Sequence, residues 1–89
     1  MDVRELQRAL QRKLGTVEDR RRHHVFWWFE FDGREYRVAK FSHSSRGQLP
    51  QYIVSDTAKR LKLTNSELDD LVDCPLTGDE FRRLWVLRQ

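Results

Sequence analysis

The feature that most constrains the fold of this chain is an almost wholly apolar run that ends at an Asp-Gly pair. Val25 to Phe31 contains five aromatic rings and a single charge, Glu30. Valine and aromatic residues favour strands, and Asp32-Gly33 favours a two-residue hairpin turn. Alternate side chains of a strand point to opposite faces of its sheet. Both faces of this strand must therefore be buried, or one of them must serve for binding.

The turn predicts the register of the hairpin. The expected pairs are Phe31 with Arg34, Phe29 with Tyr36, Trp27 with Val38 and Val25 with Lys40. One face then forms a core layer of Trp27, Phe29, Phe31, Tyr36 and Val38. The other face mixes rings and charges: His24, Phe26, Trp28, Glu30, Glu35, Arg37, Ala39 and Phe41. This mixture suits base stacking and phosphate contact, but its rings could equally form a second core layer beneath the C-terminal helices.

Basic residues concentrate in the first half of the 89-residue chain. Residues 1–46 hold nine Arg and two Lys against seven acids, whereas residues 47–89 hold six basic against seven acidic residues. The net charge of +3 is consistent with a nucleic-acid partner without establishing one.

The single cysteine, Cys74, excludes an intrachain disulfide and fits a reducing compartment. Without an apolar run of membrane-span length or a hydrophobic leader, the chain is expected to be cytoplasmic and to have no membrane partner.

Helix signals flank the hairpin on both sides. Asp2 is expected to cap a first helix that Gly15 ends, with apolar positions Val3, Leu6, Leu10 and Leu14. Residues 16–23 are expected to form a charged connector, and whether a third strand forms near residues 41–43 stays open. An amphipathic helix is expected to begin near Pro50.

Two capping boxes predict two further short helices. They run from Thr64 to Glu67 and from Thr77 to Glu80, and Cys74-Pro75 breaks the chain between them. Together these signals predict an α+β fold in which a small antiparallel sheet packs on helices.

The first two-thirds of the chain resembles the HicA-type mRNA interferases, which are small bacterial toxins. The resemblance lies in the histidine at the entry of the aromatic strand, in Arg21-Arg22-His23-His24, and in a later histidine within Phe41-Ser42-His43-Ser44. It implies a double-stranded-RNA-binding-like α-β-β-β-α fold over residues 1–63. Residues 64–89 would then be a C-terminal helical appendage, either packed on that domain or used for association.

The resemblance also implies a chemistry. It assigns catalytic roles in metal-independent RNA cleavage to His24 and His43, and it makes an antitoxin the expected protein partner. Imidazoles suit proton transfer because their ordinary pKa lies near neutrality. The expected RNA-binding residues around them are Arg21, Arg22, Phe26, Trp28, Arg37 and Arg46. No metal and no cofactor is expected, because His and Cys do not recur at ligand spacing.

Two other functions fit the same residues. A non-catalytic module of this fold would bind nucleic acid or a protein through its aromatic face, and it is favoured by Arg21-Arg22 standing where the toxins have Gly-Ser. A regulator or inhibitor would instead use the last helix, where Phe81, Leu84, Trp85 and Leu87 recur at the spacing of a docking face or a homodimer seam.

Overall fold

In a computed structural model, which describes residues 1–73 and 75–89, the chain places its helices on one face of an antiparallel sheet. The elements of the described residues are α1 (Val3–Leu14), β1 (Val17–Arg20), β2 (His24–Phe31), β3 (Arg34–Ser42), α2 (Gln51–Arg60), α3 (Asn65–Asp73) and α4 (Gly78–Leu87). The expected α+β class is confirmed. In the part of the chain that the structure describes, we find no helix with the length and apolar character needed to cross a bilayer.

The first helix begins and ends where the sequence predicts. The Asp2 carboxylate accepts hydrogen bonds from the backbone N–H groups of Arg4 (2.9 Å) and Glu5 (3.3 Å), which satisfies donors that have no partner within the helix. Gly15 follows the last turn with a positive φ of 65°, and its N–H donates to the Gln11 carbonyl. The expected apolar positions are all buried: Val3, Leu6, Leu10 and Leu14.

Strand β1 replaces part of the charged connector expected over residues 16–23, so that prediction is wrong. Val17 pairs with Trp28 and Arg20 pairs with Val25, which makes β1 an edge strand beside β2. The segment lacks the composition of a buried strand, but an edge strand tolerates charged side chains and gains its backbone hydrogen bonds from its neighbour. Whether a further strand forms near residues 41–43 was an open question. In the structure the second strand of the hairpin, β3, extends to Ser42 and so includes residues 41 and 42.

Strands β2 and β3 meet at the expected two-residue turn. Asp32 and Gly33 both adopt positive φ, 53° and 78°, a conformation that suits the twist of a tight hairpin. The pairs nearest the turn, Phe31 with Arg34 and Phe29 with Tyr36, are confirmed.

Beyond Trp28 a β-bulge shifts the register by one residue. Trp28 lies opposite Arg37, but Trp27 lies opposite Ala39, so Val38 is the additional residue of β3. The expected pairs of Trp27 with Val38 and of Val25 with Lys40 are therefore wrong, and so is the pair of His24 with Phe41 that the same register implies. The observed partners are Ala39 for Trp27, Phe41 for Val25 and Ser42 for His24.

The bulge changes which residues of β3 face the helices. Val38 and Ala39 are both fully buried, and Phe41 is only 1% exposed. Ala39 and Phe41 therefore belong to the core and not to the mixed face on which the sequence placed them. Lys40, opposite Phe26, takes their place on that face.

The last two helices complete the core beneath the sheet. From α4, Phe81 and Trp85 pack edge-on against Phe29, with ring centroids 5.4 and 5.2 Å apart. Trp85 also packs edge-on against Tyr36, at 4.9 Å. These contacts lie on the helix-bearing side of the sheet, so α4 covers that side and leaves the opposite one uncovered.

Candidate nucleic-acid interface

The side of the sheet away from the helices carries aromatic rings that do not join the core. We call this surface the outer sheet face and define it by Asp19, His24, Phe26, Trp28, Arg37 and Lys40. Burial alternates along β2, where Val25, Trp27 and Phe29 are buried but His24, Phe26 and Trp28 are only half-buried. The hydrophobic cluster formed by the described residues includes neither Phe26 nor Trp28. The half-buried rings are therefore available to a ligand.

On the outer sheet face, the Phe26 ring lies within stacking range of both His24 and Arg37. The His24 and Phe26 ring centroids are 6.2 Å apart with an interplanar angle of 40°. Arg37, from the neighbouring strand, places its guanidinium carbon 5.3 Å from the Phe26 ring centroid. Side chains at alternate positions of one strand stand in a row, so Trp28, Phe26 and His24 form an aromatic track.

Charge divides the outer sheet face into two ends. Lys40 lies opposite Phe26, and Arg37, opposite Trp28, extends its guanidinium over the Phe26 ring. At the other end, near the hairpin turn, Glu30 lies directly opposite Glu35, and both are exposed. Like charges at such close range repel each other and any nearby phosphate. A polyanion would therefore contact the end that holds His24.

His24 lies where this basic end meets α2. Partial burial, together with the positive charge of Lys40 and the neighbouring His23 and His43, lowers the pKa of His24 below its ordinary value. His24 also lines a cavity of about 500 Å³ with Lys40, Ser42, Tyr52, Ile53 and Asp56. A neutral imidazole at this position can accept a proton, which is the property required of a general base.

His43 and Arg46 lie in the loop after β3 and line a different cavity from His24. The Nε2 atom of His43 donates to the Arg21 backbone carbonyl at 2.5 Å, which ties the loop to the turn between β1 and β2. His24 begins β2 and His43 follows the end of the adjacent strand β3, but the two imidazoles line separate cavities. Ser42 lines both cavities.

Arg21 and Arg22 lie in the turn that joins β1 to β2, and both are exposed. The Arg21 N–H donates to the His24 carbonyl at 2.8 Å, and its guanidinium pairs with Asp19 at 2.9 Å. The Asp19 carboxylate thereby offsets the charge of Arg21. Arg22 adds positive charge at the same end of the sheet as His24.

Two residues of the interface were missed by the sequence analysis. Lys40 reaches the outer sheet face only because of the bulge, which has no local sequence signal here. Tyr52 projects from α2 next to His24 and is 73% exposed. A signal for Tyr52 did exist, since it is an aromatic residue outside the apolar stripe of the helix.

Within residues 1–73 and 75–89, no group of three His, Asp or Glu side chains has a geometry suited to a metal ion. The interface is therefore best described by its rings and charges. Comparisons of the chain with protein-family models, with curated proteins and with solved structures found no match.

Proposed function

We propose that this protein binds single-stranded nucleic acid, with RNA as the expected ligand, through the outer sheet face. The observation that carries the proposal is the aromatic track of Trp28, Phe26 and His24, half-buried on a sheet face with cations on the adjacent strand. Successive bases stack on such rows of rings, and neighbouring cations contact the phosphates.

The proposed mode also accounts for the placement of charge. Arg37 and Lys40 can contact phosphates at one end of the face, whereas the negative charges of Glu30 and Glu35 repel phosphates at the other end. A short strand of a few nucleotides would therefore occupy the end near His24. The exposed ring of Tyr52 on α2 would extend the stacking surface past the end of the sheet.

The test is fluorescence anisotropy with a labelled mixed-sequence single-stranded RNA. We expect Trp28→Ala and Phe26→Ala each to weaken binding about tenfold, because stacking of one base on an aromatic ring contributes about 1–3 kcal/mol. Arg37→Gln should weaken binding and reduce its salt dependence, and Arg12→Gln, an exposed charge on α1, is the matched control. Equal effects of Arg37→Gln and Arg12→Gln, with no effect of either aromatic variant, would reduce the interaction to non-specific charge attraction.

A second candidate function is metal-independent RNA cleavage by a HicA-like toxin. It is favoured by the lowered pKa of His24, which leaves a neutral imidazole beside Lys40 at the basic end of the interface. In this scheme His24 takes the proton of a 2′-hydroxyl, and the 2′ oxygen attacks the adjacent phosphorus. The bond from phosphorus to the 5′ oxygen breaks, that oxygen takes a proton from water, and Lys40 stabilises the charge that develops on the phosphate. The element order α1–β1–β2–β3–α2, with helices on one side of an antiparallel sheet, supports a double-stranded-RNA-binding-like fold, and an antitoxin would be the protein partner.

Cleavage of a labelled RNA in the presence of EDTA separates the two functions. Cutting by the wild type and by His23→Ala, but not by His24→Ala, would support the nuclease. Binding without cutting by all three proteins would support the binding module alone.

A further inference from the structure

A second cavity lies on the helix-bearing side of the sheet, between α1 and the edge strand β1. We call it the α1 cleft; its volume is about 780 Å³, within the range of small-molecule sites. One wall is a stripe of α1 formed by Arg4, Gln7 and Gln11, and the opposite wall holds Glu18 and Arg20. The loop after β3 closes one end of the cleft with His43 and Arg46.

The loop that closes one end of the α1 cleft is held in place by the chain terminus. The Val3 N–H donates to the Gly47 carbonyl and the Leu49 N–H donates to the Met1 carbonyl, both at 2.8 Å. The Met1 amino group adds a hydrogen bond of 2.7 Å to the side chain of Gln48. These contacts fix the loop residues His43 and Arg46 next to the first turn of α1.

The carboxylates of the α1 cleft are already paired, but two of its guanidinium groups are not. Asp2 accepts from the N–H groups at the start of α1, and Glu18 forms an ion pair with Arg20 at 2.7 Å. The guanidinium groups of Arg4 and Arg46 form no hydrogen bond or ion pair with any residue that the structure describes. The lining of the cleft holds three arginines (Arg4, Arg20 and Arg46) against two carboxylates (Asp2 and Glu18), so its net charge is +1.

Hydroxyl groups lie in the same cleft as these two arginines. The Ser42 and Ser45 hydroxyl oxygens are 3.1 Å apart. The Nε2–H of His43 is already donated to the Arg21 carbonyl, so the other ring nitrogen can donate to a phosphate only when the ring is protonated. Arginine and hydroxyl groups bind phosphate oxygens, and arginine does so with two parallel hydrogen bonds. Val25 and Trp27, which are buried, supply an apolar part of the lining.

We propose that the α1 cleft binds the phosphate monoester of a nucleotide, with Arg4 and Arg46 holding the phosphate. A monoester carries close to two negative charges at neutral pH, which matches the two unpaired arginines. The nucleotide is either free or the 5′ end of an RNA; in the second case the proposal rests on the proposed RNA binding of the outer sheet face. Arg46 and His43 were expected to belong to the same site as Trp28, whereas in this proposal they line a separate site with its own ligand.

The test is a titration followed by two-dimensional ¹H–¹⁵N NMR with adenosine 5′-monophosphate and, separately, with adenosine. We expect the monophosphate to shift the amide signals of residues 43–47 and of the first turn of α1, and adenosine to leave them unchanged. Arg4→Gln and Arg46→Gln should each weaken binding at least about tenfold. Arg8→Gln, an exposed arginine one turn further along α1 and outside the cleft, should bind as the wild type does.

Equal binding of adenosine and its monophosphate would overturn the proposal, as would an equal loss in Arg8→Gln. The exposed Arg4 and Arg46 make no contacts in the core, so we expect both variants to keep the amide spectrum of the folded wild type. If either loses its fold, its lysine variant is titrated instead, which keeps the charge but not the paired hydrogen bonds.

The two sources of the phosphate are separated with 5′-phosphorylated and 5′-hydroxyl forms of one short RNA. Tighter binding of the phosphorylated form, lost in Arg46→Gln, assigns the cleft to RNA ends. Equal binding of both forms, with the monophosphate still bound, assigns it to free nucleotides. Trp28→Ala separates this site from the outer sheet face, because it should weaken binding of RNA but leave binding of the monophosphate unchanged.

Discussion

At the scale of single residues, His24 combines three conditions that change its chemistry. It is half-buried at the start of β2, it lies close to Lys40, and two other imidazoles are near it. Partial burial disfavours the charged form, and the positive neighbours act in the same direction. His24 is therefore a neutral acceptor at a pH where an exposed histidine would already be partly charged.

We expect His24 to titrate below its ordinary pKa of 6.5, as followed by the ring proton signals in NMR. Lys40→Gln should raise the midpoint because it removes one of the positive neighbours, whereas Lys59→Gln on α2 should not. Since the pKa of the folded state is depressed, the stability that neutral His24 contributes is complete above pH 6.5 and is lost as the pH falls through the folded-state pKa. A midpoint at or above 6.5 would contradict this description of its surroundings.

The sequence identified the residues of the aromatic track and one of their neighbours, Arg37, but not the neighbours that lie beyond the bulge. His24, Phe26 and Trp28 share a face by the alternation of a strand, which depends only on their own spacing. Which residues of β3 lie beside them depends on pairing between strands. For that reason Lys40 was missed, and Ala39 and Phe41 were placed on the wrong face.

At the scale of elements, the predicted capping box of Thr64 and Glu67 forms at the start of α3 and also connects α3 to α4. The box at the start of α3 is complete, since the Glu67 N–H donates to the Thr64 hydroxyl (3.1 Å) and the Thr64 N–H to the Glu67 carboxylate (2.8 Å). Arg88, at the end of α4, donates two hydrogen bonds of 2.8 Å to the same carboxylate. Glu67 thus joins the beginning of one helix to the end of the next.

We expect these contacts to make stability depend on pH in the acid range. The hydrogen bonds from Arg88, followed by that from the Thr64 backbone, lower the pKa of Glu67 from 4.5 to about 2. Stability contributed by the ionised Glu67 is present above pH 4.5 and is lost as the pH falls toward 2. Urea unfolding between pH 5 and 2 should therefore show a shallower loss of stability for Glu67→Gln than for the wild type. Glu5→Gln, an exposed acid in α1, serves as the control.

At the scale of the whole molecule, the C-terminal helices are built into the core through close contacts with α1. The Lys13 ammonium group donates to the carbonyls of Leu71 (2.6 Å) and Leu76 (2.9 Å), at and after the end of α3. Arg82 of α4 donates in return to the carbonyls of Lys13 (3.1 Å) and Leu14 (3.3 Å), at the end of α1. Lys13 and Arg82 therefore donate to carbonyl groups near the ends of α3 and α1, where carbonyls lack partners within their own helix.

Gly78, the first residue of α4, packs against the backbone at the end of α1. A Cβ atom at this position would collide with the Lys13 backbone carbonyl oxygen. We expect Gly78→Ala to destabilise the protein by about 1–3 kcal/mol, the usual range for overpacking, although alanine normally favours a helix over glycine. Asp79→Ala, one residue further along, is the control in thermal unfolding. A gain in stability from Gly78→Ala would mean that the two helices are further apart.

Substitution of Trp85 measures how much α4 contributes to the stability of the fold. It is 2% exposed and contacts Phe29 and Tyr36, so we expect Trp85→Ala to cost about 3–5 kcal/mol in urea unfolding. Leu87→Ala, at a position 78% exposed, should change stability by less than about 0.5 kcal/mol. Similar losses of stability in the two variants would contradict the packing of α4 into the same core as the sheet.

The same packing limits the last helix as a docking surface. Phe81 and Trp85 are buried in the core, so of the four residues considered for a seam only the half-buried Leu84 and the exposed Leu87 reach the surface. Deletion of this helix would remove core residues together with any interface. An association through it is better tested by Leu87→Ser, with the oligomeric state measured by sedimentation.

The sequence by itself determined the features that depend on neighbouring residues along the chain. These are the cap and end of α1, the Asp32-Gly33 turn and the starts of α2, α3 and α4, because each follows from hydrogen bonds or backbone angles within a few residues. Tertiary structure alone decided the remainder. An edge strand formed from a charged segment because β2 supplied its hydrogen bonds, and a bulge at Val38 placed Lys40 outside and Phe41 inside because the core had to be filled.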